Sequence, residues 1–374
     1  MDQPVVITEI SEFRNATLVD ASTYDAQELC QGFQARRSVY EDVAIQASLQ
    51  CRTDFEDAIG GIKLDDSVTY ENPSHGHSVS NLMPLTLPER VELLGYTSEY
   101  LCLHDDEADA ANASGDIIID RKTVQKQLLM KLLTRFMVVN QKQGQAIMDA
   151  FLAYGMMAAS LNKEQNFKTI EQYMDYRFHD FGSEFFLTTT LFGIDFDPLT
   201  AEERAIVEPF IQTGYRHISL LNDLFSFDVE WEDTVDKDQL VNGVCVYIRQ
   251  FGATPSEAKD RVREVLVNLE ADYKRHVYNA TTQGVLNVRL QKFVSAIAQQ
   301  MVGNLVWSSS CLRYNLAYRL ANRANRKRTD SHVEPLVALS ATERARSDSV
   351  LNQASKVLDA VTNTTTEIAV ADGN

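Results

Sequence analysis

Asp105, Asp106 and Asp109 put three carboxylates close together, and the first and last, four residues apart, share one face of any helix that carries them. Pro88, a residue favoured in the first helical turn, opens the segment before them, and Val91, Leu94, Ser98 and Leu101 then recur at intervals of three or four. Asp105 and Asp109 continue that inward series. Carboxylates carried onto an inward face are costly to bury unless a cation neutralises them. Mg2+ suits the pattern, because it takes hard oxygen ligands and is typically held by one or two carboxylates together with substrate phosphate. In a chain this acidic, the same spacing also fits a solvated helix end that includes Glu107.

A second constellation follows an apolar stripe of Ile211, Tyr215 and Ile218. Asn222, Ser226 and Glu230 are spaced four and four, so their side chains fall within roughly 80° of one another on a helix. An amide, a hydroxyl and one carboxylate form an oxygen site of low charge, which leaves coordination positions for phosphate oxygens. On its own the triplet also fits an ordinary polar helix face.

The elements that must position these groups are helical. Leu128, Leu129, Leu132, Leu133 and Phe136 form one stripe at helical spacing and Phe293, Ile297, Met301 and Leu305 another, while no comparable stretch alternates at period two. Gly 16 and Pro 8 are low counts for 374 residues, again favouring helices over sheet. Turn residues mark loops at 71–77, 112–116 and 195–198, and the HGH of His75 and His77 is expected to be a loop without chemistry. An all-α fold is predicted, with one globular domain over 1–326 and a linker-like tail over 327–374 whose end is disordered.

The net charge of −18 argues against nucleic acid and against an anionic membrane surface as partners. No segment approaches the length of a membrane span, and Met1 to Pro4 begin no basic-then-apolar leader, so a cytoplasmic protein is expected. Five widely spaced cysteines without a CxxC pair suggest neither a disulfide framework nor a zinc site, but reduced, mostly buried thiols.

The string from Asn222 to Glu230 (NDLFSFDVE), taken with Asp105 to Asp109, resembles the NSE and aspartate-rich motifs of class I terpene synthases, in the order that family has them. Trp307 with the pair Arg313 and Tyr314 resembles the segment after the family's last core helix. Tyr176 to Gly182 (YRFHDFG) resembles its effector segment with a diphosphate-sensing arginine. Val241 to Val244 and the stretch from Val19 to Cys30 are similar to the cyclase domain of fungal chimeric di- and sesterterpene synthases. The resemblance covers roughly Thr17 to Arg323. It departs at Val229, where many relatives carry a lysine, which leaves Lys237 as a weaker candidate for anion binding.

This resemblance implies the class I terpenoid synthase helical fold with a central active-site cavity. It implies three Mg2+ ions bridging a diphosphate, held by Asp105 and Asp109 on one side and by Asn222, Ser226 and Glu230 on the other. Arg177, Arg313 and Tyr314 would contact the diphosphate together with Asn222, Asp180 would orient Arg177, and the backbone near Phe181 would sense closure. Trp307 is the aromatic residue expected to face a carbocation; Tyr100, Phe178, Phe181, Phe185 and Tyr215 lie near the motifs as candidate walls, although an aromatic at helical spacing is more often plain core. The substrate would be a linear isoprenyl diphosphate, twenty carbons first and twenty-five next, and the parent chain of such a domain can carry a prenyltransferase as well. Two alternatives stand beside cyclisation. An isoprenyl diphosphate synthase needs a second aspartate-rich motif where this chain has Asn222 to Glu230, and a non-catalytic helical interaction module would keep the motifs without turnover.

Overall fold

Apolar residues at intervals of three and four become helices throughout. The computed structural model describes residues 11–59, 64, 71–111, 121–160 and 167–321, and of residues 11, 12, 71, 104–111, 121–125 and 155–160 it describes the backbone alone. All of these belong to one unit, Met1–Asn322. The expected domain boundary at 326 and the tail over 327–374 lie outside the described residues.

Eleven α-helices are described: α1 (Glu41–Ala58), α2 (Ser78–Leu82), α3 (Pro88–Ala111), α4 (Arg121–Val139), α5 (Gln141–Ser160), α6 (Ile170–Asp180), α7 (Ser183–Gly193), α8 (Ala201–Asp233), α9 (Gly243–Phe251), α10 (Pro255–Gln283) and α11 (Val288–Ser308). Their starts follow from local chemistry. Thr200 and Thr254 each close a capping box with the glutamate three residues on, and Asn242 and Asn287 cap α9 and α11 through their side chains. Pro209 lies inside α8 and removes one rung near its start, yet the helix runs on to Asp233, about 50 Å in all.

Two short antiparallel pairs accompany the helices. β1 (Ala16–Leu18) pairs with β2 (Arg36–Ser38), and β3 (Glu71–Asn72) pairs with β4 (Gly76–His77). The second pair corrects the expectation of a plain loop at 71–77. His75 and His77 are both buried in it. His77 Nδ1 accepts from the Val79 backbone N–H and so caps α2, while its Nε2 lies 3.0 Å from Ser48 Oγ, which in turn donates to Glu99. That chain requires a neutral ring with its proton on Nε2. Burial accordingly pushes the His77 pKa down to about 3.

The core has two parts. One is built on α8, which packs against α10 and α11, with α6 and α9 alongside; Phe293, Ile297, Met301 and Leu305 are all fully buried in it. The other joins α1, α3 and α4 to Phe185 and Phe192 of α7. Phe136 and Phe192 meet edge to face in this second part, with ring centroids 4.8 Å apart. The N-terminal segment is fastened to the first part from outside. The Cys30 backbone N–H donates to Glu270 of α10 at 2.8 Å, and Glu270 also pairs with His217 of α8 at 3.2 Å. All five cysteines are free and buried. Among the described residues no helix is long and apolar enough to cross a membrane.

Candidate active site

Where the two parts of the core meet, a cavity with about 710 Å³ of free space opens partly to solvent. Its walls are Leu94, Thr97, Ser98 and Leu101 of α3, Phe181, then Phe185, Phe186 and Thr189 of α7, Ile218 of α8, Trp307 of α11, and the α2 segment with Met83. Asn222, Asn304 and Tyr314 add polar atoms to it. A cavity of this kind, mostly apolar with a few polar groups at fixed positions, is the usual form of a small-molecule site.

The polar groups gather around Arg177. Its guanidinium donates to Asp180 at 2.7 Å, to Asp223 at 3.1 Å and to Asn222 Oδ1 at 3.1 Å. Burial lowers its pKa, but the carboxylates of Asp223 and Asp180 outweigh burial and hold it above the ordinary guanidinium value, so it stays charged. Asp223 is itself buried and accepts from the Tyr173 hydroxyl and from the Gly243 backbone N–H at the start of α9, the latter at 2.9 Å. One helix turn beyond Arg177, Phe181 ends α6 with its N–H bonded to the Arg177 carbonyl at 2.8 Å, and the Arg177 guanidinium lies 5.7 Å from the Phe181 ring centroid. Gly182 then takes φ 75°, a left-handed conformation that lets α6 turn directly into α7. Phe181 stacks on Phe186 with centroids 4.7 Å apart.

On α8, Asn222, Ser226 and Glu230 share a face as their spacing requires. Asn242, the cap of α9, donates through Nδ2 to Glu230 Oε2 at 2.8 Å and to the Asp223 carbonyl at 3.0 Å. Burial foremost, and then the charge of Asp223, raise the Glu230 pKa to about 7. Ser226 Oγ is buried beside Glu230, near enough to act on its carboxylate but without a hydrogen bond of normal geometry to any partner. An orphaned buried hydroxyl next to a desolvated carboxylate is a costly arrangement for a bare protein. Both groups offer oxygen to a hard divalent cation, and with the Asn222 amide they fit one.

Asn222 Nδ2 in turn donates to the Tyr314 hydroxyl, which ties the turn after α11 to α8. Tyr314 meets Trp307 edge to face at 5.5 Å, and Arg313 donates to Cys102 Sγ of α3 at 2.8 Å, one turn before Asp105. The β3–β4 hairpin holds this corner. Asn72 Nδ2 donates to the Trp307 carbonyl at 2.7 Å and to Ser310 Oγ at 3.1 Å, which fixes the end of α11 and the turn that carries Arg313 and Tyr314.

Comparison with known proteins agrees with this geometry. Residues 126–272, which contain Arg177 and the whole Asn222 to Glu230 series, match the model of terpene synthase family 2, C-terminal metal binding. Variediene synthase of Emericella variicolor is 32% identical over 318 residues, covering 80% of this chain and 44% of that protein. Over most of its described length the chain is similar to terpene synthases, and residues 126–272 match that family's metal-binding domain. A bifunctional sesterterpene synthase of Aspergillus aculeatus is 25% identical over 81% of this chain and 45% of its own length, so the chain spans under half of either of these two relatives. A single-residue variant of cucumene synthase shares the fold, with a TM-score of 0.57 at 14% identity over 73% of this chain and 96% of that one.

The structure brings together Arg177, Asp180, Asn222, Ser226, Glu230 and Asp223, and the Asn222–Tyr314 hydrogen bond joins Tyr314, with Trp307 and Arg313 beside it, to that group. Asp105 and Asp109 lie in α3, on the continuation of the face that carries Leu94, Ser98 and Leu101 to the cavity, but their side chains lie outside the described residues. Trp307 lines the cavity as expected, as do Phe181 and Phe185 of the candidate walls, and Phe186 joins them. Tyr100, Phe178 and Tyr215 do not; they are buried in the core, since helical spacing alone does not distinguish a packed aromatic from a lining one. Lys237 donates to the Thr234 carbonyl and leans on Trp231, away from the Arg177 group. Three contributors escaped the sequence reading: Asp223, Asn242 and Asn72. The first two had local signals, an acid beside Asn222 and an asparagine at a helix start, whereas Asn72 had none.

Proposed function

We propose that this domain is a class I terpene cyclase of the cytoplasm that ionises a linear isoprenyl diphosphate and closes the resulting carbocation into rings, with a twenty-carbon chain the leading substrate and twenty-five carbons next. The observation that carries the reading is the cavity itself, apolar and aromatic along its length, with Arg177, Asn222 and Tyr314 converging at one end. Asn222, Ser226 and Glu230, with Asp105 and Asp109 opposite, would hold Mg2+. Bound there, the metal supplies the positive charge that makes diphosphate a leaving group.

When the carbon–oxygen bond breaks, its electron pair stays with the diphosphate. Arg177, held charged by Asp180 and Asp223, donates to the oxygens where that charge develops, and Arg313 and Tyr314 donate alongside it. Asp180 keeps the Arg177 fork oriented, and the Phe181 backbone, bonded to the Arg177 carbonyl, moves with it as the site closes. Phe181, Phe185, Phe186 and Trp307 exclude water and turn ring faces to the cation without offering it a nucleophile. The parent protein, by its relatives' lengths, would carry a further domain that makes the substrate.

The test is incubation with Mg2+ and linear diphosphates of ten to twenty-five carbons, followed by gas chromatography with mass detection. A cyclic hydrocarbon that disappears with EDTA and in Asn222→Ala supports the reading. Failure to bind inorganic diphosphate in a Mg2+-dependent way overturns it, and a longer linear diphosphate formed on adding isopentenyl diphosphate would replace it with chain elongation.

A further inference from the structure

The cavity stops at a wall, and behind that wall lies a second cavity. Leu82 and Met83 line both. The second is a narrow gap with room for little more than a water molecule, bounded further by Thr86, Thr190, Ala296 and Gln300. The two lie end to end along the same helix face: on α11, Trp307 and Asn304 line the first, and Gln300 and Ala296, the next two turns, line the second. On α7, Thr189 lines the first and Thr190 the second. From Asn304 to Gln300 is about 6 Å along the helix axis. One isoprene unit adds four carbon–carbon bonds, about 5 Å when extended. Joined to the space that a truncated wall side chain would free, the second cavity would therefore lengthen the first by about one unit.

The wall rests on a rigid base. Asn81 donates to the carbonyls of His75 and His77 at 2.8 and 3.0 Å, His77 caps α2, and Met83 ends it with its N–H on the Val79 carbonyl at 2.8 Å. α2 sits so close to α11 that a Cβ on Gly303 would lie 2.0 Å from the Asn81 carbonyl oxygen. The side chains of the wall are thus fixed from behind, and what they reach sets the depth. Behind them the Gln300 amide is turned aside onto Thr190 Oγ1 at 2.7 Å, and the second cavity is lined almost wholly by apolar atoms.

We propose that Leu82 and Met83 determine chain length, ending the isoprenoid tail at the first cavity and keeping it out of the second. The inference rests on the cyclase reading for the kind of ligand, and its test is built to separate the two. Affinities of the purified domain for the unreactive thiolodiphosphate analogues of fifteen, twenty, twenty-five and thirty carbons are measured by calorimetry with Mg2+, in wild type, Met83→Ala and Leu82→Ala, each checked for folding by thermal unfolding. Opening the wall should move the preferred length up by one isoprene unit, with the ratio of affinities for the longer over the shorter analogue rising by about ten-fold or more. Ala296→Leu, which fills only the second cavity, should leave the wild-type ranking unchanged and reverse the shift in Met83→Ala. An unchanged ranking in both wall variants overturns the proposal. Length-dependent binding of the analogues by a domain that makes no hydrocarbon from the reactive diphosphates counts against the cyclase reading and not against the wall, and absence of binding by every analogue overturns both.

Discussion

Replacing Asp223 by asparagine keeps the size of the side chain and removes its charge, and the structure sets how much that should cost. The carboxylate accepts from the Arg177 Nε at 3.1 Å, from the Gly243 N–H at 2.9 Å and from the Tyr173 hydroxyl, all three being donors. An asparagine offers one acceptor and turns its NH2 group towards a donor on the other side. Removing one partner of a buried ion pair costs about 3–5 kcal/mol. Arg177 keeps Asp180 at 2.7 Å and its side chain is 17% exposed, so the lower end, about 3 kcal/mol, applies. With a urea slope of about 3 kcal/mol per molar or more for a chain of this size, the unfolding midpoint should fall by up to about 1 M at unchanged slope. Because the same guanidinium donates to Asn222 Oδ1, affinity for inorganic diphosphate with Mg2+ should fall about ten-fold as well. Tyr173→Phe removes one of the three donors and should cost about 1–2 kcal/mol. An Asp223→Asn protein with the wild-type midpoint would refute the buried-pair argument. A lowered midpoint with wild-type diphosphate affinity would confine Asp223 to stability and refute its part in positioning Arg177.

Three other outcomes are expected. Ser226→Ala deletes a buried hydroxyl that has no hydrogen-bond partner, so the unfolding midpoint should hold or rise by up to about 1 kcal/mol equivalent, while Mg2+-dependent binding of diphosphate, read by calorimetry, falls at least about ten-fold. His77, with its pKa near 3 in the fold against an ordinary 6.5, binds its proton more readily when unfolded; its contribution is complete above pH 6.5 and is lost as pH falls from there towards 3. His77→Asn, which can still cap α2, should therefore flatten the stability curve between pH 6.5 and 4 by up to about 1.4 kcal/mol per pH unit relative to wild type, in urea titrations at each pH. Gly303→Ala must push α2 away from α11, costing about 1–3 kcal/mol in the unfolding midpoint and altering the product profile on chromatography through the displaced wall.

What was legible in the sequence was local. The stripe from Phe293 to Leu305 announces a buried helix because its period is fixed by geometry within a few turns, and the spacing of Asn222, Ser226 and Glu230 puts three oxygens on one face whatever surrounds them. Arg177 and Tyr314 were identified through resemblance, since nothing in their own neighbourhoods distinguishes a diphosphate ligand from a surface cation or a packed ring. The candidate aromatics could not be sorted for the same reason: Tyr215 and Phe178 lie near the motifs as Phe181 and Phe185 do, yet they are core while the other two line the cavity. The residues missed altogether are those that hold the others. Asn72 is 235 residues from the Trp307 carbonyl it fixes, and Asn242 reaches back to Glu230 from the start of another helix. A hydrogen bond of that kind leaves no period and no charge pattern in the chain, only a polar residue in a loop. Yet it decides whether a ligand group stands within half an ångström of where it must be. The ligand positions of the motifs therefore report the groups that face the substrate, and mutational tests aimed only at them will overlook Asn72, Asn242 and Asp223, whose removal should loosen the site while Asn222, Ser226 and Glu230 remain in place.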